Sequence, residues 1–132
     1  AGVAALESYQ DENLIARSRQ LGSAMFARLR QMQAQHPIIG ELRGGHGLYA
    51  VIELVTDRVS REPLAPWPTM HASLKGLLAE ALQAGVSFAA RGNLILLAPP
   101  LVIGEQELAD ALNLLDRLLA KLNHTFYPKA VT

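Results

Sequence analysis

Val86-Ser87-Phe88-Ala89-Ala90-Arg91-Gly92-Asn93-Leu94-Ile95-Leu96-Leu97-Ala98 is the stretch on which the fold turns. Two apolar runs, Val86 to Ala90 and Leu94 to Ala98, flank Arg91-Gly92-Asn93. Gly92-Asn93 tolerates the positive φ that a tight turn needs, so the stretch predicts a β-hairpin. Pro99-Pro100 stops the second strand, because proline has no N–H to give to a ladder. Upstream, Leu48-Tyr49-Ala50-Val51-Ile52-Glu53-Leu54-Val55 reads as a further strand. Its nearly continuous apolar run predicts cover on both faces, interrupted only at Glu53.

Working outward, the helices follow. Leu14, Ser18, Leu21, Met25, Leu29 and Met32 recur at steps of four and three, the stripe of an amphipathic helix. Asp11 is placed to cap it, and His36-Pro37 ends it, since a residue before proline avoids the helical region. A short helical turn over Ala4 to Tyr9 precedes it. A second helix is expected from Thr69 to Ala84, with Leu74, Leu77, Leu78, Ala81 and Leu82 inward and Gly85 at its C-terminal stop. A third starts near Gly104, with Glu105 and Glu107 at its positive end and Leu108, Leu112, Leu115, Leu119 and Leu122 buried. Thr56 to Pro68 reads as a loop, which Trp67, between two prolines, pins to the body. The tail from His124 carries no signal. A hairpin plus at least one further strand, covered by three main helices, predicts a two-layer α+β sandwich with a small antiparallel sheet.

Composition narrows the function classes. The 132 residues carry 12 basic and 12 acidic side chains, so the formal charge is zero. With that balance and only three lysines there is no clustered basic field for nucleic acid. Half the residues are apolar and 18% charged, which excludes a disordered chain. No apolar run reaches the length of about 18–20 residues that spans a bilayer. The chain has no cysteine, hence no disulfide framework and no thiolate metal site, and this fits a reducing cytoplasm. The start at Ala1, without an initiator Met or signal-peptide features, reads as that of an excerpt or a processed product.

Candidate chemistry is sparse. Arg43-Gly44-Gly45-His46-Gly47 follows a helix and opens a strand, whereas a phosphate loop follows a strand and opens a helix, so it reads as a turn. His36, His46, His71 and His124 share no metal-ligand spacing. Ser8, Ser18, Ser23, Ser60, Ser73 and Ser87 sit in no nucleophile elbow. Glu105, Glu107 and Asp110 lie on a solvated helical turn, and Glu41 and Glu53 have no readable partner. Arg91 stands apart. It ends an apolar strand at a tight turn, where a guanidinium offers a planar fork to a carboxylate; from spacing alone it reads equally well as an exposed hairpin arginine.

Three segments together resemble the C-terminal part of a class III pyridoxal-phosphate aminotransferase, the group that contains ω-amino acid and 4-aminobutyrate transaminases. They are Glu12-Asn13-Leu14 with Leu21-Gly22; His36-Pro37-Ile38-Ile39-Gly40-Glu41-Leu42-Arg43-Gly44 running on through Gly47-Leu48 to Ile52-Glu53-Leu54-Val55; and Gly92-Asn93-Leu94-Ile95-Leu96-Leu97-Ala98-Pro99-Pro100-Leu101. The resemblance implies that residues 1–132 are the single small C-terminal domain of a fold-type I enzyme, docked on a large domain of the same chain. It implies a homodimer, amine and keto-acid substrates, and pyridoxal 5'-phosphate held mainly by the large domain. No segment resembles the aldimine-lysine motif, so Lys75, Lys121 and Lys129 are not expected to carry the cofactor, and this segment is expected to hold no catalytic, cofactor-binding or metal residue. Many members carry an arginine just before the strand that ends in Pro-Pro-Leu, and it binds the substrate carboxylate. A gapless register puts that site, in one branch, at Ala89. Arg91 lies two residues on, on the same face of a strand and about 6–7 Å away. Either its long side chain covers that distance or another branch uses this position. The competing reading is a free-standing regulatory or dimerisation module that binds a small acid.

Overall fold

The computed structural model describes residues 1–128. The hairpin forms from β4 (Ala89–Arg91) and β5 (Leu94–Leu97), with Arg91 paired to Leu94 across the turn. Gly92 has φ +60° while Asn93 keeps a negative φ, the glycine-first pattern of a type II′ turn. β5 pairs antiparallel with β2 (Ala50–Asp57), which pairs on its other side with β1 (Ile39–Gly44). The order is β1-β2-β5-β4, and a two-residue β3 (Glu62–Pro63) is added to the end of β2.

Three long helices bury residues against this sheet: α2 (Leu14–Gln35), α3 (Ala72–Gln83) and α4 (Glu105–Phe126). Met25, Leu29 and Met32 of α2, Leu74 and Ala81 of α3, and Leu115 and Leu119 of α4 are at most 1% exposed. They pack on Ile39, Ala50, Ile52, Leu54 and Ile95. The two-layer α+β reading therefore holds, with three main helices over a small antiparallel sheet.

Several local expectations are corrected. β1 was not foreseen; it is short, begins at a bulge between Ile39 and Glu41, and forms only because β2 lies alongside. β2 is not covered on both faces. Ala50, Ile52 and Leu54 are buried, whereas Val51 and Glu53 between them are half-buried, so over Ala50–Leu54 only one face meets the helices, and Val55 beyond them is buried again. Leu82 is 64% exposed, because α3 turns Leu74, Leu77 and Ala81 inward and Leu82 falls one position off that stripe. α3 begins at Ala72, where the His71 ring Nδ1 accepts the Ser73 N–H at 3.1 Å, and not at Thr69. Asp11 does not cap α2. It ends a ten-residue α1 (Gly2–Asp11), and Asn13 in the left-handed region (φ 50°) is the residue before α2. α4 runs on to Phe126, past the point where the leucine stripe stops.

A close backbone approach and several polar bonds join the elements. Gly22 inside α2 sits so close to Gly47 that a Cβ there would lie 2.1 Å from the Gly47 carbonyl oxygen. The buried His36 ring bonds Asp116 of α4 at 2.6 Å, and Arg28 donates to the other oxygen of the same carboxylate at 2.6 Å. Arg58 donates to the carbonyls of His36 and Ile39, both at 3.1 Å, closing the C-terminal end of α2.

Candidate functional site

The open face of the sheet is built from alternate residues of four strands. Cross-strand neighbours share a face, so the register gives two rows: Glu41, Glu53, Leu94 and Arg91, then Arg43, Val51, Leu96 and Ala89. No helix among the described residues covers them. Leu94, Leu96 and Val51 are half-buried, and Arg43, Ala89 and Arg91 are exposed.

At one end of this face Arg43 donates to Glu41 and to Glu53, each at 2.8 Å. These acids, unpartnered on the page of the sequence, stand opposite one another across β1 and β2. Like charges so placed repel, and the single guanidinium between them offsets that repulsion. Without β1 in view their partner was not legible.

At the other end, on β4, three strand spacings and about 14 Å from β1, Arg91 makes no ion pair within 4.0 Å among the described residues. Its guanidinium carbon lies 5.1 Å from the centre of the Trp67 ring. A contact through the ring face leaves the in-plane N–H donors directed at other partners, the geometry in which arginine takes a carboxylate in a two-pronged grip. The Trp67 ring also seats on the turn itself. A Cβ on Gly92 would come within 2.7 Å of Trp67 Cε3, so this turn position takes glycine both for its φ and for the ring above it. Asn93 fixes the turn from the other side: its Nδ2 donates to the Leu54 carbonyl at 2.9 Å, and its own carbonyl accepts the Leu54 N–H at 2.9 Å. Trp67 pins its loop to the hairpin turn, and the proline-flanked tryptophan was the signal for it.

The other sequence candidates separate from this face. The Gly44–Gly47 segment is a turn between β1 and β2 with positive φ at Gly44, Gly45 and Gly47. His46 is exposed, His71 caps α3, His124 lies exposed in the last turn of α4, and His36 is buried against Asp116. Partial burial opposes ionisation of Asp116, but the His36 hydrogen bond and the Arg28 charge outweigh it and hold the carboxyl below its usual value. Among the described residues no group of three or more His, Asp or Glu is placed to hold a metal. Lys75 is exposed on α3, and Lys121 is exposed and paired with Glu80; Lys129 lies outside the described residues. A lysine that forms a Schiff base has to be desolvated beside its cofactor, and neither described lysine meets that condition. No helix among the described residues is long and apolar enough to cross a membrane.

Comparison with known proteins gives concordant results. The family model described as aminotransferase class III matches residues 1–119. The taurine–pyruvate aminotransferase of Bilophila wadsworthia is 32% identical over 133 residues, covering 96% of this chain and 28% of that protein. The (R)-1-hydroxy-2-aminoethylphosphonate ammonia-lyase of Vibrio splendidus is 32% identical over 127 residues, covering 96% of this chain and 25% of that protein. Among solved structures, a taurine:2-oxoglutarate aminotransferase from Bifidobacterium kashiwanohense in complex with PLP and glutamate superposes with a TM-score of 0.86. It is 27% identical, and the match covers 95% of this chain and 28% of that one. The chain thus spans little more than a quarter of the length of these relatives.

Proposed function

Because this chain belongs to the class III aminotransferase family, we propose that it is the small C-terminal domain of a pyridoxal-phosphate-dependent enzyme that moves an amino group from an amine or ω-amino acid to a keto acid. The described lysines do not fit the anchoring chemistry of that cofactor, so the large domain of the same chain holds it. The part of this segment is to wall the active site and to bind the substrate carboxylate through Arg91. The position of Arg91 carries that role: beside a rigid turn, its guanidinium has no ion pair among the described residues and lies on the sheet face that no described helix covers. The large domain closes over this open face and over the outer side of α1, where Val3 and Leu6 are about two-thirds exposed at 70% and 67%. The intact protein is a homodimer and, in keeping with the absence of cysteine, cytoplasmic.

Arg91→Ala in the full-length enzyme tests the assignment. Losing a charge-assisted pair raises KM for the keto acid by about ten- to a hundredfold, while the visible absorbance of bound cofactor stays as in wild type. An unchanged KM for keto acid and carboxylated donors alike removes the role.

The ammonia-lyase relative, as similar as the transaminase one, favours a second reading, elimination with release of ammonia. Ammonia formed from an amine with no keto acid present would select it; turnover that requires the acceptor selects transamination.

A further inference from the structure

We propose that Trp67 is a positioning residue for the substrate carboxylate: its indole holds the Arg91 guanidinium at the place on the open sheet face where the carboxylate meets it. The inference rests on the assignment of Arg91 above. An arginine at the end of an edge strand has about 2 kcal/mol of rotamer entropy to lose, and immobilising such a side chain on binding weakens affinity. A ring already in contact with the guanidinium removes part of that loss before the ligand arrives.

The geometry gives this ring a fixed seat. Trp67 stands between Pro66 and Pro68, whose rings restrict the backbone on either side. Its Cε3 edge lies against Gly92, where there is no room for a side chain, and its ring centre is 5.1 Å from the Arg91 guanidinium carbon. Asn93 ties the same turn to β2. Trp67 thus meets both the turn and the Arg91 guanidinium, while Asn93 holds that turn to β2. Yet Trp67 remains 57% exposed, so burial in the core does not account for its place. Contact with an aromatic face also leaves the arginine charge unneutralised, as a carboxylate partner would not. The charge stays available to an acid of the substrate.

The test uses the full-length holoenzyme and pyruvate, which has no amino group to give and so binds the pyridoxal form without turnover. Calorimetry then reads Kd directly for wild type, Trp67→Leu, Trp67→Phe, Arg91→Ala and the Trp67→Leu/Arg91→Ala double variant. Leucine keeps apolar cover over Gly92 and lets the turn fold, but has no π face. Trp67→Leu is expected to weaken pyruvate binding about two- to fivefold, and Trp67→Phe restores most of the affinity. In the Arg91→Ala background Trp67→Leu should cost nothing further. Steady-state KM for pyruvate is expected to rise in proportion to Kd, with kcat changed less. If Arg91→Ala weakens binding and Trp67→Leu does not, or if Leu and Phe behave alike, the positioning role is overturned and the Arg91 assignment stands. An equal Trp67→Leu effect with and without Arg91 also overturns it, by showing that the ring acts elsewhere, such as against the large domain. If Arg91→Ala leaves Kd unchanged, the Arg91 assignment fails and this inference falls with it.

Discussion

The two faces of one sheet differ more than any two of its strands. Ala50, Ile52, Leu54, Ile95 and Leu97 point into the helix layer and are at most 5% exposed. One residue away along the same strands, Glu53, Leu94 and Leu96 point outward, as does Arg91 on the adjacent β4, where no helix among the described residues covers them. The chain divides its work by this alternation, because successive side chains of a strand point to opposite faces. The inward residues hold the fold, and the outward ones are free to carry a second charge network and an arginine with no ion pair among the described residues. The two ion networks repeat the contrast. Between α2 and α4 one acid, Asp116, serves two bases, Arg28 and His36; on the open face one base, Arg43, serves two acids.

The largest effect that would break this comparison comes from truncating each face in turn. Ile52→Ala removes a fully buried side chain and is expected to lower the unfolding free energy by about 2–5 kcal/mol. Leu96→Ala, on the half-buried outer side of the neighbouring strand, should cost about 1 kcal/mol. Urea unfolding measures both, and equal losses would mean that the outer face is as well packed as the inner one.

A smaller effect sharpens the contrast between the networks. Asp116→Asn is expected to cost about 1–2 kcal/mol near neutral pH, since it weakens a shared carboxylate and leaves a buried histidine poorly matched. The folded carboxyl is held below its ordinary value of about 3.9, so its contribution is fully present above that value and fades as pH falls through the depressed one. Wild type and variant should therefore converge in unfolding free energy only at acid pH below about 4. A gap that persists unchanged to pH 3 would show that the carboxylate charge is not what joins α2 to α4.

The smallest effect belongs to the open face. Arg43→Ala should cost under about 1 kcal/mol at low salt, because all three groups reach solvent, and the difference should shrink in 1 M salt. A loss as large as that of Asp116→Asn would place a structural joint where a surface network is expected.

How far all this was legible in advance follows from what each element depends on. The hairpin could be read because its turn is a local affair: Gly92 supplies the positive φ whatever surrounds it. The three long helices could be read because their apolar stripes have the helical period. β1 could not, since Ile39-Gly40-Glu41-Leu42 has little strand character of its own and is held by pairing with β2. Arg91 was singled out from its place beside the turn, but that nothing among the described residues neutralises it is a fact of tertiary geometry. Trp67 was read as an anchor, while the thing it anchors, the turn bearing Arg91, lies on a distant stretch of chain.

By itself the sequence determined the periodic parts of this protein: helices, hairpin, the α+β layering and the three segments that mark its family. Those follow from neighbours within a few residues, where backbone preference and apolar spacing act directly. Tertiary structure alone decided which face of β2 stays open, that Arg43 bridges Glu41 and Glu53, that Leu82 points outward, and that Trp67 meets Arg91 over Gly92. Each of these depends on the register between strands and the docking of helices, and so on distances between residues that the chain order leaves unrelated.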